Sequence, residues 1–354
     1  MAIKLAINGF GRIGRQTARA LLEKYNIGEL KPENIELVAV NDLVDQKTLA
    51  HLLKYDSSFG VLDHKVGFTE KSKNKAFIGD ITIDGVQIGV LNEPKPKKLP
   101  WKELEIDIVI EATGRFTDKE SCEDHLKAGA KKVILSAPAK DGKIKTYVMG
   151  VNMDKILKSE DVISNASCTT NCIAPVMAVM EKHFGIAKSM MTTAHAYTAD
   201  QVLVDGPHRD LRRARSAAIN IIPTTTGAAQ AAAETIETLK GKFDGMSLRV
   251  PVPVGSISDI TMLLKKPATV EDINAVITEE CENPNWRGIL TYSNDPLVSS
   301  DIIGNPHSAI VDMALTQVVD KDLAKVVAWY DNEWGYSNRM IDQVLFLGAL
   351  TKPR

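Results

Sequence analysis

Lys4-Leu5-Ala6-Ile7-Asn8-Gly9-Phe10-Gly11-Arg12-Ile13-Gly14 decides the fold of the first half of the chain. Lys4–Asn8 reads as a strand, and the G-x-G-x-x-G that follows opens a helix expected over Gly14–Tyr25. The first glycine permits a tight turn, the second lets the backbone approach a pyrophosphate, and the third lets helix and strand pack closely. The helix N-terminus then offers N–H groups and a positive dipole end to phosphate. The next strand, Ile35–Asn41, delivers Asp42 to its end. A carboxylate there would accept hydrogen bonds from the adenosine ribose hydroxyls and repel a 2′-phosphate, which favours NAD over NADP.

Outward from this unit, apolar runs continue to alternate with helical stretches, the pattern of a parallel sheet with crossover helices. Leu49–Leu53 reads as helical, and Ile81–Ile83 and Gln87–Val90 flank an Asp84-Gly85 hairpin turn. Buried strands are expected at Ile106–Glu111 and Lys132–Ser136, with a helix over Lys119–Ala128 between them. Beyond about residue 165 the texture changes. Cys168–Phe184 has helical periodicity, and strand-like runs at Met190–His195, Ser247–Val252 and Ser258–Leu264 stand further apart. The expectation is an α/β chain: a Rossmann-type doubly wound dinucleotide-binding domain plus an α+β catalytic domain with a mostly antiparallel sheet.

The 354 residues are long enough for about two domains. Lysine and arginine number 43 against 45 acidic residues, a net charge of −2, so no bulk positive field recruits nucleic acid or a membrane surface. No apolar stretch approaches the roughly 18 residues of a spanning helix, and the N-terminus holds no signal-peptide core; a soluble cytoplasmic protein is expected. Four cysteines are too sparse for a disulfide framework.

Cys168 lies in Asn165-Ala166-Ser167-Cys168-Thr169-Thr170-Asn171-Cys172, small polar residues opening an apolar helix. The helix dipole is expected to lower the pKa of a thiol there, and a thiolate is the nucleophile that covalent catalysis uses. His195, at the end of a strand in Thr192-Thr193-Ala194-His195-Ala196-Tyr197-Thr198, is the candidate acid/base. Zinc binding by Cys168 and Cys172 would need further ligands that the neighbouring sequence lacks, and no metal is expected. Pro223-Thr224-Thr225-Thr226-Gly227 opens an alanine-rich helix, and Arg249 ends a strand soon after. Hydroxyls, a helix N-terminus and a guanidinium together point to a phosphate-bearing substrate.

These stretches, with Asp210-Leu211-Arg212-Arg213-Ala214-Arg215 and Trp329-Tyr330-Asp331-Asn332-Glu333-Trp334-Gly335-Tyr336-Ser337, closely resemble the phosphorylating glyceraldehyde-3-phosphate dehydrogenase family over essentially the whole chain. The resemblance implies a glycolytic oxidoreductase that converts D-glyceraldehyde 3-phosphate, NAD and inorganic phosphate to 1,3-bisphosphoglycerate through a cysteine hemithioacetal and thioester. It makes Cys168 the nucleophile and His195 its base, with the Cys168 N–H at the developing oxyanion. Asn8, Gly9, Phe10, Gly11, Arg12, Ile13, Gly14, Asp42, Thr113, Ser136, Asn332 and Tyr336 would hold NAD. Thr198 and Arg249 would hold the substrate phosphate; Ser167, Thr169, Thr226 and Gly227 the attacking phosphate; and Arg213 either anion.

The resemblance also returns the C-terminal helix, 332–354, to a first domain of residues 1–167, leaving 168–331 as the catalytic domain. A loop from about Thr198 to Ala217 resembles the family's subunit-interface segment, which implies a homotetramer. Gly206 departs from the leucine usual before the loop's proline in NAD-specific members. Two other readings stand beside this one: erythrose-4-phosphate dehydrogenase, which releases a free acid, and a non-catalytic NAD-binding redox sensor that uses Cys168 as a switch.

Overall fold

The computed structural model describes residues 2–351, and the chain divides into two compact units. The first takes in the described residues up to Tyr147, Lys155–Ala166 and those from Ser337 on; the second is Val148–Asp154 with Ser167–Tyr336. Residues 148–154 therefore fold with the second unit, although they lie within the 1–167 expected for the first domain. Val148 belongs to the second unit's apolar core, and Asn285 Nδ2 donates to the Gly150 carbonyl at 2.7 Å. Residues 332–336, expected to begin the returning helix, also group with the second unit.

The first unit contains strands β1 (Ile3–Asn8), β2 (Ile35–Asn41), β3 (Tyr55–Asp56), β4 (Gly60–Val61), β5 (Val66–Thr69), β6 (Gly79–Ile83), β7 (Val86–Leu91), β8 (Ile108–Glu111), β9 (Lys132–Leu135) and β10 (Val162–Ser164). Its helices are α1 (Arg12–Asn26), α2 (Gln46–Lys54) and α3 (Lys119–Lys127). The main sheet runs β10-β9-β8-β1-β2-β7-β6-β5, parallel from β10 to β7 and antiparallel at the β6 and β5 edge. Leu5-Ala6-Ile7, Ile108-Val109-Ile110 and Val133-Ile134-Leu135 are buried throughout, as parallel strands covered on both faces require. Asp84 and Gly85 take φ of 49° and 87°, the two left-handed residues of a primed hairpin turn. Because β2 lies on one side of β1 and β8 on the other, the strand order reverses at β1. Ligands of open α/β sheets bind at the carboxyl ends of the strands flanking such a point.

The second unit contains helices α4 (Cys168–His183), α5 (Ala228–Thr235) and α6 (Val270–Cys281). Its strands are β11 (Ile186–Ala196), β12 (Ile222–Thr225), β13 (Phe243–Val250), β14 (Ser256–Leu264), β15 (Leu290–Ser293), β16 (Ala309–Asp312), β17 (Gln317–Val319) and β18 (Leu323–Tyr330). The sheet order is β12-β13-β11-β14-β18-β16-β15, with β17 on β18. It is mostly antiparallel, with β11–β13 and β15–β16 as its parallel pairs. Ile173, Val176, Met177 and Met180 of α4 pack into the core beside Ala228, Ala229 and Ala232 of α5. The alanines leave room for the two helices to approach. A last helix, α7 (Trp334–Thr351), ends the described chain.

Candidate active site

The β1–α1 turn has the shape its glycines predict. Gly9 has φ +93°, and a Cβ there would fall 2.6 Å from the Thr113 nitrogen; a Cβ on Gly14 would fall 2.2 Å from the Gly9 carbonyl oxygen. Gly11 differs: it is exposed, and beyond its chain neighbours no described atom lies within 4 Å of where its Cβ would stand. Two glycines thus close the turn and the third leaves open space over the helix N-terminus, the arrangement a bound dinucleotide pyrophosphate needs. Asp42 Oδ2 accepts the Phe10 N–H at 2.8 Å and Oδ1 the Val44 N–H at 3.2 Å, which fixes the carboxylate beside the turn.

Three of the residues expected to meet the cofactor are otherwise engaged. Asn8 is buried, donating Nδ2 to Glu111 at 2.5 Å and accepting from Asn41 at 2.7 Å through Oδ1. Its side-chain amide is thus engaged inside the protein, beside the turn. Arg12 donates Nη1 to the buried Asp56 carboxylate at 2.5 Å and lies over the Phe59 ring, leaving its backbone as the part available to the turn. The Thr113 hydroxyl donates to Glu111. Ile13 follows Arg12 in the first turn of α1 and is half-buried. Ser136, just past β9, donates its N–H to the Glu111 carbonyl at 2.9 Å.

In the second unit Ser167 caps α4, its Oγ accepting the Thr170 N–H at 3.1 Å. Cys168 is therefore the first residue of the helix, with a backbone N–H that has no intrahelical partner. The preceding Ala166 has φ +57°, a left-handed conformation rare for alanine, which turns the chain sharply into the helix. Strand β11 brings His195 to the same place: Cys168 Sγ and His195 Nε2 are 3.3 Å apart.

His195 Nδ1 lies 2.6 Å from the Ala196 carbonyl oxygen and 3.0 Å from Arg249 Nη1. A carbonyl only accepts, so the shorter contact puts the proton on Nδ1 and leaves the Nε2 lone pair facing the thiol. Burial, reinforced by the Arg249 charge, pushes His195 down to about 3. Burial also pushes the Cys168 thiol up, against the opposing Arg249 guanidinium and Thr169 hydrogen bonds. Both shifts favour the neutral forms, thiol and imidazole. This corrects the lowered thiol pKa expected from the helix dipole, because desolvation outweighs it here.

Around this pair stand the expected anion donors. Arg249 Nη1 donates to Thr198 Oγ1 at 3.1 Å and to the Ala196 carbonyl at 3.0 Å. Arg213 donates Nε and Nη2 to Thr224 Oγ1 at 2.9 and 2.6 Å, and Nη1 to Asp200, which also accepts from the Thr198 hydroxyl. Thr226 Oγ1 accepts the Ala228 N–H at 3.1 Å beside Gly227, the N-cap of α5, and keeps its hydrogen to donate. Thr169 departs from expectation. It is buried and its hydroxyl pairs with Tyr330 Oη at 2.9 Å, because this side of the first turn of α4 faces the core. Tyr330 also pairs with Thr193 Oγ1 at 2.9 Å, and its ring meets that of His195 in a T-shaped contact; the sequence alone gave it no role.

Asn332 Oδ1 accepts the Gly255 N–H at 3.1 Å and the Ser256 hydroxyl at 3.0 Å, so its amide nitrogen is aimed the other way. Tyr336 is buried in the first turn of α7. No helix among the described residues is long and apolar enough to cross a membrane.

One doubly wound unit with a dinucleotide turn and a second unit carrying a cysteine–histidine pair define the class of NAD-dependent oxidoreductases. The particular family follows from comparison with known proteins. Residues 3–119 match the profile described as glyceraldehyde 3-phosphate dehydrogenase, NAD binding domain, and residues 167–332 match its C-terminal domain. The chain is 53% identical over 348 residues to glyceraldehyde-3-phosphate dehydrogenase of Mycobacterium avium, covering 98% of this chain and 99% of that one. It is 52% identical over 349 residues, with the same coverage, to the enzyme of Streptomyces coelicolor. The chain belongs to the glyceraldehyde-3-phosphate dehydrogenase family.

Proposed function

We propose that this chain catalyses the oxidative phosphorylation of D-glyceraldehyde 3-phosphate, with Cys168 as nucleophile and His195 as base. The observation that carries the reading is the 3.3 Å approach of Cys168 Sγ to a His195 nitrogen whose lone pair is exposed by the Ala196 carbonyl's hold on the other. NAD, when bound, supplies the hydride acceptor.

The thiol adds to the aldehyde carbon, its proton passing through Nε2 to the new alkoxide, and the Cys168 N–H at the helix start supports that oxygen in the transition state. As the hemithioacetal carbon loses hydride, Nε2 takes the hydroxyl proton and a thioester remains. An oxygen of inorganic phosphate then attacks the thioester carbon, the C–S bond breaks, and the proton on His195 returns to sulfur. Arg249 and Thr198 hold the substrate phosphate; Ser167, Thr226 and Gly227 face the attacking phosphate, with Thr169 acting through Tyr330; Arg213 serves either anion. On the dinucleotide side, Gly9, Gly11, Gly14 and the backbones of Phe10, Arg12 and Ile13 cradle phosphate, Asp42 takes the ribose, and Thr113, Ser136, Asn332 and Tyr336 complete the site.

NADH formation with and without inorganic phosphate tests this. Phosphate-dependent turnover that Cys168→Ser abolishes supports it; turnover indifferent to phosphate favours an acid-forming dehydrogenase, and NAD binding without turnover favours a redox sensor.

We also read the chain as a cytoplasmic homotetramer. Leu203, Leu211 and Ile219 of the segment after His195 are 75%, 82% and 79% exposed in the single chain, an apolar surface that calls for a cover. Sedimentation of the wild type and of Leu211→Asp checks the assembly.

A further inference from the structure

Beneath the dinucleotide turn lies a buried polar chain that the mechanism above does not use. Glu111, at the end of β8, is 1% exposed, and His125 of α3 is fully buried. Glu111 Oε1 accepts the Thr113 N–H at 2.9 Å and the Thr113 hydroxyl; Oε2 accepts Asn8 Nδ2 at 2.5 Å and His125 Nε2 at 3.1 Å.

The direction of every bond is fixed by groups that cannot reverse. On one side the Trp101 indole, which only donates, meets His125 Nδ1 at 2.9 Å. That nitrogen must accept, so the His125 proton sits on Nε2 and points at Glu111. On the other side the Glu93 backbone holds Asn41 at both amide atoms: its N–H donates to Oδ1 at 2.9 Å and its carbonyl accepts from Nδ2 at 2.9 Å. Asn41 Nδ2 therefore donates to Asn8 Oδ1, and Asn8 Nδ2 to Glu111. Two one-way chains converge on one carboxylate, joining the ends of β1, β2 and β8 at the point where the strand order reverses.

We infer that Glu111 is the positioning residue of the dinucleotide site, the common acceptor that sets Thr113 against Gly9 and so shapes the turn that NAD meets. This rests on the reading of that turn as the NAD site. Glu111 touches no ligand; it acts through Thr113 and Asn8. A Gly9 Cβ would stand 2.6 Å from the Thr113 nitrogen, so a shift of Thr113 is felt at once by the turn.

Glu111→Gln tests the inference, since one amide oxygen cannot serve four donors and the new NH2 must oppose either Thr113 or the Asn8–His125 pair. The free enzyme should bind NAD about tenfold more weakly by calorimetry, in line with unsatisfied buried donors. The KM for NAD should rise in step, while kcat at saturating NAD and the alkylation rate of Cys168 without NAD stay near wild type. Adding Trp101→Phe should restore part of the affinity: without the indole N–H, His125 can move its proton to Nδ1 and accept from the new amide. If Glu111→Gln fails to fold, His125→Leu, which removes one donor, should still weaken NAD binding.

Wild-type NAD affinity in the variants overturns the inference, as does loss of Cys168 alkylation in parallel with NAD affinity, the mark of general damage. Absence of NAD binding by the wild type would overturn the reading of the turn itself.

Discussion

Cys168 Sγ faces His195 Nε2 at 3.3 Å, and burial favours the neutral form of both groups, pushing the thiol up and the imidazole down to about 3. An ion pair formed in advance would show thiolate reactivity already on the acid side of neutrality. Here the rate of iodoacetamide alkylation of Cys168 should keep climbing through neutral pH and into the alkaline range, following the fraction of thiolate. A rate profile of the free enzyme that is flat from below pH 7 would contradict this. His195→Gln should lower kcat by about 10²–10⁴ and leave NAD affinity unchanged.

Arg249 couples the anion site to the nucleophile. Its charge favours the Cys168 thiolate and disfavours the imidazolium of His195, while its Nη1 holds Thr198 Oγ1 and the Ala196 carbonyl. Arg249→Gln should therefore slow Cys168 alkylation at any fixed pH below the thiol's own range. It should also lower kcat/KM for the triose phosphate by about a hundredfold, the scale of a lost charge-assisted hydrogen bond pair. Unchanged alkylation with lowered kcat/KM would confine Arg249 to phosphate binding.

The fold and its dinucleotide turn were legible because their signals are local. Strand Ile35–Asn41, the Asp84-Gly85 hairpin and the helix after the glycine turn each follow from periodicity and turn chemistry within a few residues, although the helix begins at Arg12, two residues before the expected Gly14. The short strands Val66–Thr69, Ala309–Asp312 and Gln317–Val319 escaped, since three or four residues are too few for their pattern to stand out. In the site, Cys168 and His195 stood out by motif. Their protonation did not, because it depends on desolvation by residues contributed from several elements. Glu111 and His125 read as ordinary strand-end and helix residues; only the fold brings them together with Asn8. Tyr330, buried behind Thr169, left no signal beyond lying in a matching motif.

Gly11 and Gly14 separate the two duties of the fingerprint. A Cβ on Gly14 would collide with the Gly9 carbonyl at 2.2 Å, backbone against backbone, so Gly14→Ala should lower the melting temperature of the free protein. Beyond its chain neighbours a Cβ on Gly11 meets no described atom within 4 Å, and its φ of −72° suits alanine. Gly11→Ala should melt like the wild type yet bind NAD about tenfold or more weakly, because the methyl occupies the space through which the backbone approaches the pyrophosphate. Thermal melts without NAD, set beside calorimetric titrations with it, distinguish the two. A Gly11→Ala protein with normal NAD affinity would remove the second glycine from the site.

Glu280 of α6 gives the fold a defined acid sensitivity. Burial alone would raise its carboxyl, but Lys182 at 2.5 Å, His183 at 2.6 Å and the Trp286 indole N–H at 3.0 Å outweigh that and hold it at about 2. The folded value lies below the ordinary glutamate value, so the stabilisation is complete above about pH 4.5 and disappears as pH falls through 2. The difference corresponds to roughly 3 kcal/mol at neutral pH. Glu280→Gln should consequently melt well below the wild type at pH 7, and the gap should narrow steadily as both are measured at successively lower pH below 4.5. A gap that stays constant down to the acid limit would mean that Glu280 contributes through shape and neutral hydrogen bonds, with no part played by its charge.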